Sequence, residues 1–188
     1  APFYKQAKNV AWDMLKYYCQ PIPNIVFNES ELKADFPNGA RISLYGGDNP
    51  DSLRGIYLDG VMMDEYAQMS PRLWAEIIRP AISDRKGWAI FIGTPKGHNN
   101  FFELYQEVKD DEDWYVKVHR ASETNYINAE ELEAAKKDMS EDQYQQEFEC
   151  LWTAAIQGAY YGRLLEEAEK ESRIGKVQHD TGALVETW

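Results

Sequence analysis

In the stretch "GVMMDEYAQM", Gly60 to Met69, a run of Gly-Val-Met-Met leads directly into two adjacent carboxylates, Asp64 and Glu65. Adjacent acids at such a junction have two readings. Either the strand has ended and water takes them, or Asp64 holds a metal ion and Glu65 activates a water molecule. Further along, "FIGTPKG" repeats the arrangement: an apolar run ends at Gly93 and is followed by the hydroxyl of Thr94, with Pro95 and Gly97 to shape the loop. The three histidines, His98, His119 and His179, share no metal-ligand spacing, and Cys19 and Cys150 stand far apart outside any CxxC pair. Neither a zinc site nor a disulfide framework is indicated.

Such groups act only if the surrounding elements bring them together, so the rest of the chain decides between the readings. At 188 residues, 44% of them hydrophobic, there is material for one domain with a core, or one domain and a piece of another. No run approaches the roughly 18 apolar residues of a membrane span, and no basic-then-apolar signal opens the chain. We expect a soluble, non-exported protein suited to a reducing cytoplasm. The net charge of −12 argues against a surface that binds nucleic acid all round, since phosphate contacts come from clustered Lys and Arg. Any DNA role is local or belongs to a larger assembly. The acidic runs read as solvated helix faces and loops.

The pattern along the chain alternates. Residues 4 to 18 place Ala7, Val10, Ala11, Met14 and Leu15 at helical spacing, and Pro21 and Pro23 end that helix. "IVFN", "ELKADF" and "ARISLYG" read as short strands, the last two forming a hairpin around Asn38-Gly39. "IYLDGVMMDE" reads as a strand. "SPRLWAEIIRPAI" reads as a helix with Ser70 as its cap and Pro71 as its first residue. "WAIFIG" reads as a second buried strand, "NNFFELYQEVK" as a helix and "WYVKVHRA" as a third strand. Two further helices cover "NAEELEAAKKDM" and "SEDQYQQEFECLW". Strands alternating with helices predict an α/β sheet with parallel pairs and both faces covered. In such sheets ligands sit at the carboxyl ends of the strands, which is where Asp64, Glu65 and "GTPKG" fall.

The ordered series carries a resemblance. Apolar residues followed by Asp-Glu resemble the Walker B strand of a P-loop ATPase. "FIGTPKGHNNFFELY", after one intervening helix, is similar to the coupling motif of phage terminase large subunits. "NGARISLYGGD" and "GGDNPDSLRGIYLDGVMMDE" resemble the segments that precede Walker B in that family, and "GAYYG" and "ALVETW" its connection from ATPase to nuclease. No GxxxxGK[ST] occurs in the chain. The resemblance implies a P-loop NTPase-like (ASCE/RecA-like) three-layer α/β fold with mostly parallel strands, incomplete because the Walker A portion is absent. It places residues 1–155 in the downstream part of the ATPase domain. Residues 156–188 become a linker toward an absent RNase H-like nuclease domain, whose first metal-binding aspartate is expected just beyond Trp188.

Site roles follow from the same resemblance. Asp64 holds Mg2+ and Glu65 orients or deprotonates the water that attacks the γ-phosphate of ATP. Thr94 contacts that phosphate or water, with Gly93 and Pro95 forming its loop. The alternative for this segment is a plain turn with Asn99 or Asn100 capping the next helix. Arg54 is a candidate arginine finger, or else a surface arginine paired with Asp51 or Asp59; Arg79 and Arg85 are further candidates. Lys96 touches phosphate or DNA, or is an exposed turn residue. Tyr4 and Gln6 can lie near an adenine, though helix packing also accounts for the aromatic residues Trp12, Tyr17 and Tyr18 nearby.

The implied whole is a viral DNA-packaging motor in the host bacterial cytoplasm, at the procapsid portal and not in the mature virion. It translocates double-stranded DNA as a homo-oligomeric ring with the portal protein and a small terminase subunit, without a membrane. The chain alone, lacking a phosphate loop, is expected to hydrolyse little or no ATP. Two alternatives stand beside this one. "DEYA" echoes the Asp-Glu-Ala-x box of helicase-type translocases, which carry Ser-Ala-Thr where this chain has Gly-Thr-Pro, and a non-catalytic α/β interaction module needs no phosphate loop.

Overall fold

The computed structural model describes residues 1–152 and 161–175, and the chain divides into two compact units, Ala1–Ala154 and Ala155–Trp188. Of the second unit the described part is one helix, Gly162–Lys170, and the turn after it. Tyr160 and the rest of "GAYYG" before Tyr161, and the final "ALVETW", lie outside the described residues.

The first unit opens with a continuous helix, α1, made of Tyr4–Ala7, a π-wound middle at Lys8–Trp12, and Asp13–Cys19. Its inward face is Ala7, Trp12 and Cys19. Val10 and Met14, expected on that face, are exposed, as are Tyr17 and Tyr18. The wide turn rotates the face by inserting extra residues per turn, and the largest side chain then sets the orientation. Trp12, 1% exposed, meets Phe27 edge-on at 5.9 Å, and its Nε1 donates to Glu29 at 2.6 Å. This fastens α1 to an antiparallel sheet of β1 (Val26–Asn28), β2 (Lys33–Asp35) and β3 (Arg41–Ser43). The β2–β3 hairpin turns at Asn38-Gly39, as its sequence demands: Gly39 has φ +84 and its N–H donates to Phe36 O at 2.9 Å.

A 3₁₀ turn at Pro50–Leu53 leads to β4, Gly60–Met63. Helix α2 opens at Pro71 after Ser70 and comprises a π-wound stretch, Leu73–Ile78, and Arg79–Ser83. Pro80 has no N–H to donate and would break an ordinary α-helix; the wide turn just before it lets the helix run through. The following strand, β5 (Trp88–Phe91), pairs parallel with β4, Gly60 opposite Trp88 and Met63 opposite Phe91. β4–α2–β5 is thus a βαβ unit, which bears out the α/β reading with a parallel pair. Alternation along the two strands sends Val61, Met63, Ala89 and Phe91 toward a core of Leu53, Tyr66, Met69, Leu73, Ile77, Ile78 and Ile82. Met62, Trp88, Ile90 and Ile92 face the other way and are exposed. Among the described residues, cover is therefore present on one face of this pair, where both were expected.

Helix α3, Asn100–Val108, follows β5. In "WYVKVHRA", Trp114, Val116, Val118 and Arg120 are half-buried between exposed neighbours. The segment forms no strand ladder among the described residues. Trp114 reaches β5 through its ring, which lies tilted by 36° against Phe91 with 5.9 Å between centroids. After a short turn of helix, α4 (Ala121–Thr124), come α5 (Ala129–Asp138) and α6 (Glu141–Glu147). Asn128 caps α5, and Ser140 with Gln143 forms a capping box on α6.

Replacing Gly39 by Ala tests the hairpin. No heavy atom stands within 4 Å of a Cβ at Gly39, so the whole cost is the left-handed backbone, and urea unfolding should show a loss of about 1–2 kcal/mol.

Candidate active site

Asp64 and Glu65 leave the end of β4, and Gly93 to Pro95 leave the end of β5, on the same edge of the parallel pair. Backbone bonds continue the ladder past both strands: Ile92 N donates to Met63 O at 2.9 Å, and Tyr66 N donates to Ile92 O at 3.0 Å. The two tips are consequently locked side by side. Gly93 is needed for their approach, because a Cβ there would lie 3.2 Å from both Glu65 Cα and Tyr66 N. Asp64, Glu65, Gly93 and Thr94 are half-buried, and Pro95 is buried. The structure thus brings together five of the residues singled out in the sequence.

Glu65 turns the chain in the left-handed region, φ 56 and ψ 43. That conformation costs a residue with a side chain about 1–2 kcal/mol, and it reverses the chain into a single 3₁₀ turn, Tyr66–Gln68. Tyr66 anchors the turn: it is 2% exposed and packs edge-on against Phe91 at 4.8 Å and Phe101 at 5.7 Å. Burial pushes its phenol above the ordinary value. Gln68 reaches back, its Nε2 donating to Glu65 Oε2 at 2.9 Å. No hydrogen bond or ion pair among the described residues engages the Asp64 carboxylate. Its charge is felt by the Ala1 ammonium, which burial lowers in pKa and Asp64 raises.

The loop after β5 is tied to the same turn. Asn99 caps α3, its Oδ1 accepting from Phe101 N at 3.0 Å and Phe102 N at 3.3 Å, while its Nδ2 donates to Ala67 O at 2.9 Å. Asn100 Nδ2 donates to Tyr66 O at 3.4 Å and Met69 O at 3.3 Å. Asn99 thus caps the helix, which was the alternative for this segment, and Thr94 stands half-buried at the rim. Capping was legible from the asparagines ahead of "FFELY". The donor role of Asn99 and Asn100 was not, because it spans more than thirty residues, and Gln68 carried no signal beyond its place one helical turn after Glu65.

Arg54 has other company. Its Nε donates to Asp51 at 2.8 Å and its Nη2 to Glu76 at 3.4 Å; Arg72 also donates to Glu76, at 3.0 and 3.1 Å. All four side chains are exposed, so the network contributes little to stability. Arg54 holds the Asp51 carboxyl below its usual range and Arg72 does the same for Glu76. These attractions persist while the acids are ionised and fade as pH falls through the lowered values. Asp59 takes Arg85 at 2.9 Å, and Arg79 bonds Ser83. Tyr4 directs its hydroxyl to Ser30 O at 2.8 Å, and no hydrogen bond or ion pair among the described residues joins Tyr4 or Gln6 to the rim. Lys96 is exposed.

A metal ion fits this rim only in one form. Among the described residues no three His, Cys, Asp or Glu side chains cluster to make a protein cage. Mg2+ does not require one, since it binds through one or two carboxylates and completes its shell with water and phosphate. Asp64, half-buried and without a hydrogen bond among the described residues, is of that kind. Among the described residues no helix is long and apolar enough to cross a membrane.

The family described as "Terminase large subunit, T4likevirus-type, N-terminal" matches residues 3–167. The terminase large subunit of Escherichia phage T5 is 28% identical over 160 residues, 80% of this chain and 35% of that protein. That of Thermus phage G20c is 50% identical over 58 residues, 31% of this chain and 12% of that protein. The chain thus spans about a third or less of the curated relatives it matches. The ATPase domain of the large terminase of Thermus phage P74-26 superposes with a TM-score of 0.58 at 22% identity, covering 80% of this chain and 74% of that one. A large terminase from a thermophilic bacteriophage, solved in complex with ADP, gives 0.59 at 17%, covering 80% and 39%. Likeness at these identities shows a shared fold.

Gly93→Ala probes the approach of the strand tips. The added methyl must push against the Glu65–Tyr66 backbone, so we expect a loss of about 1–3 kcal/mol from overpacking, read as a fall in melting temperature.

Proposed function

This chain belongs to the terminase large-subunit family, and from that premise we propose that it is part of a viral DNA-packaging motor in which Mg2+-dependent hydrolysis of ATP drives double-stranded DNA into a procapsid. The observation that carries the proposal is the meeting of Asp64, Glu65 and Thr94 on one rim, held by backbone bonds between β4 and β5. The thermophilic phage relative, solved in complex with ADP, lends support to nucleotide as the ligand.

In this reading, Asp64 holds the hydrated Mg2+, which when bound neutralises charge on the triphosphate. Glu65 takes a proton from the attacking water through the carboxylate that Gln68 braces at Oε2. As that O–H bond breaks, the water oxygen bonds to the γ-phosphorus and the bond to the β–γ bridging oxygen is lost. Thr94 donates to the γ-phosphate or positions the water, and Gly93 and Pro95 fix its height at the rim. Arg54 serves as a finger toward a neighbouring subunit's nucleotide, released from Asp51 and Glu76 when the ring assembles. Exposure of that network supports such an exchange, since leaving it costs little. Tyr4 and Gln6 remain proposed neighbours of the adenine.

Residues 1–155 form the downstream part of the ATPase domain and 156–188 the linker to a nuclease domain, with the portal, a small terminase subunit and the other ring subunits as partners. The phosphates are cradled by a GxxxxGK[ST] loop outside these residues, so this chain alone is expected to hydrolyse little ATP.

In the motor protein, Glu65→Gln should lower turnover roughly 10²–10⁴-fold, the range of general-base catalysis, while ATP still binds; unchanged hydrolysis discards the assignment. Arg54→Ala subunits should regain turnover when mixed into rings with Glu65→Gln subunits that keep Arg54. Failure to do so in mixed rings argues against action between subunits.

A further inference from the structure

We propose that Asn99 is a positioning residue for Glu65, transmitting the placement of the Thr94 loop to the turn that aims the carboxylate. The proposal deepens the reading above and rests on it. Capping α3 requires an acceptor, which Asn99 Oδ1 supplies to Phe101 N and Phe102 N; Ser, Thr or Asp would do as well. The amide's other end is not needed for a cap. It donates to Ala67 O at 2.9 Å in a half-buried setting, where competition from water is weak and the bond correspondingly strong.

Ala67 belongs to the same 3₁₀ turn, Tyr66–Gln68, as the side chain that grips Glu65. On the other side, Asn99 is bound to the Thr94 loop by the chain and by its own N–H, which donates to Gly97 O at 3.2 Å. Asn100 adds two longer bonds to Tyr66 O and Met69 O. A shift of the loop therefore reaches Glu65 by two routes, the ladder that joins the strand tips and the Asn99 bridge to Ala67. Glu65 has a strained backbone, so its turn stays in place only while its surroundings hold it. Removing the bridge should leave the fold and the nucleotide site intact while loosening the aim of the base.

The test uses Asn99→Ser and Asn99→Asp in the motor protein, since both keep the capping acceptor and lose the amide N–H that reaches Ala67 O. We expect melting temperature and ATP affinity close to the parent, KM little changed, and kcat reduced roughly ten- to hundredfold, the effect of a small misplacement at a reacting centre. Asp should be the worse of the two because it sets an oxygen against Ala67 O. Parental kcat in both variants overturns the proposal, and so does a kcat loss that only follows a fall in melting temperature. Glu65→Gln measured alongside separates the two levels. If it is inactive while both Asn99 variants turn over normally, the bridge alone is wrong; if it turns over at the parental rate, the reading of the site falls and the bridge with it.

Discussion

Two backbone hydrogen bonds past the ends of β4 and β5, Ile92 N to Met63 O and Tyr66 N to Ile92 O, decide the geometry of this molecule. Without them Asp64 and Thr94 would be two polar residues at the ends of two short strands. With them, the chain leaving each strand is held within a hydrogen bond of the other, and Gly93 lets the backbones close to contact distance. Each such bond is worth only about 1 kcal/mol net. The locking is nonetheless effective, because the ladder, the Tyr66 ring and the two asparagines all constrain the same few residues.

The core beneath serves that arrangement. α2 returns the chain from the end of β4 to the start of β5, and Leu73, Ile77, Ile78 and Ile82 supply the apolar face on which Met63 and Tyr66 rest. The crossover must be long enough to run antiparallel to the strands, and continuing it through Pro80 depends on the wide turn at Leu73–Ile78. On the opposite face Met62, Ile90 and Ile92 have no cover among the described residues. Parallel sheets are ordinarily buried on both sides.

What the sequence disclosed was whatever is written locally. Asn38-Gly39 announced a hairpin because glycine supplies the positive φ that the turn requires. Ser70-Pro71 and Asn99 announced helix starts, and apolar runs closed by acids or glycine announced strand ends. What it did not disclose arises between distant residues. The alternation of "WYVKVHRA" is real in burial yet has no strand partner among the described residues, because period-two burial reports which side chains are covered and not whether the backbone is paired. Val10 and Met14 sit at helical spacing but face outward, since the π turn shifts the face that Trp12 anchors. Arg54 looks alike in sequence whether it serves a neighbour or pairs with Asp51, and it is the fold that brings the Glu76 carboxylate beside it as well. The bridge from Asn99 to Ala67 has no local signature at all.

The left-handed backbone of Glu65 has a consequence for anyone engineering this protein. Glycine and asparagine tolerate that conformation far better than glutamate, so a screen for thermostability alone would favour them at position 65 and delete the proposed base. Natural sequences retain such locally unfavourable choices where activity needs them. A stabilised scaffold should therefore be sought at positions away from the rim, with position 65 held fixed.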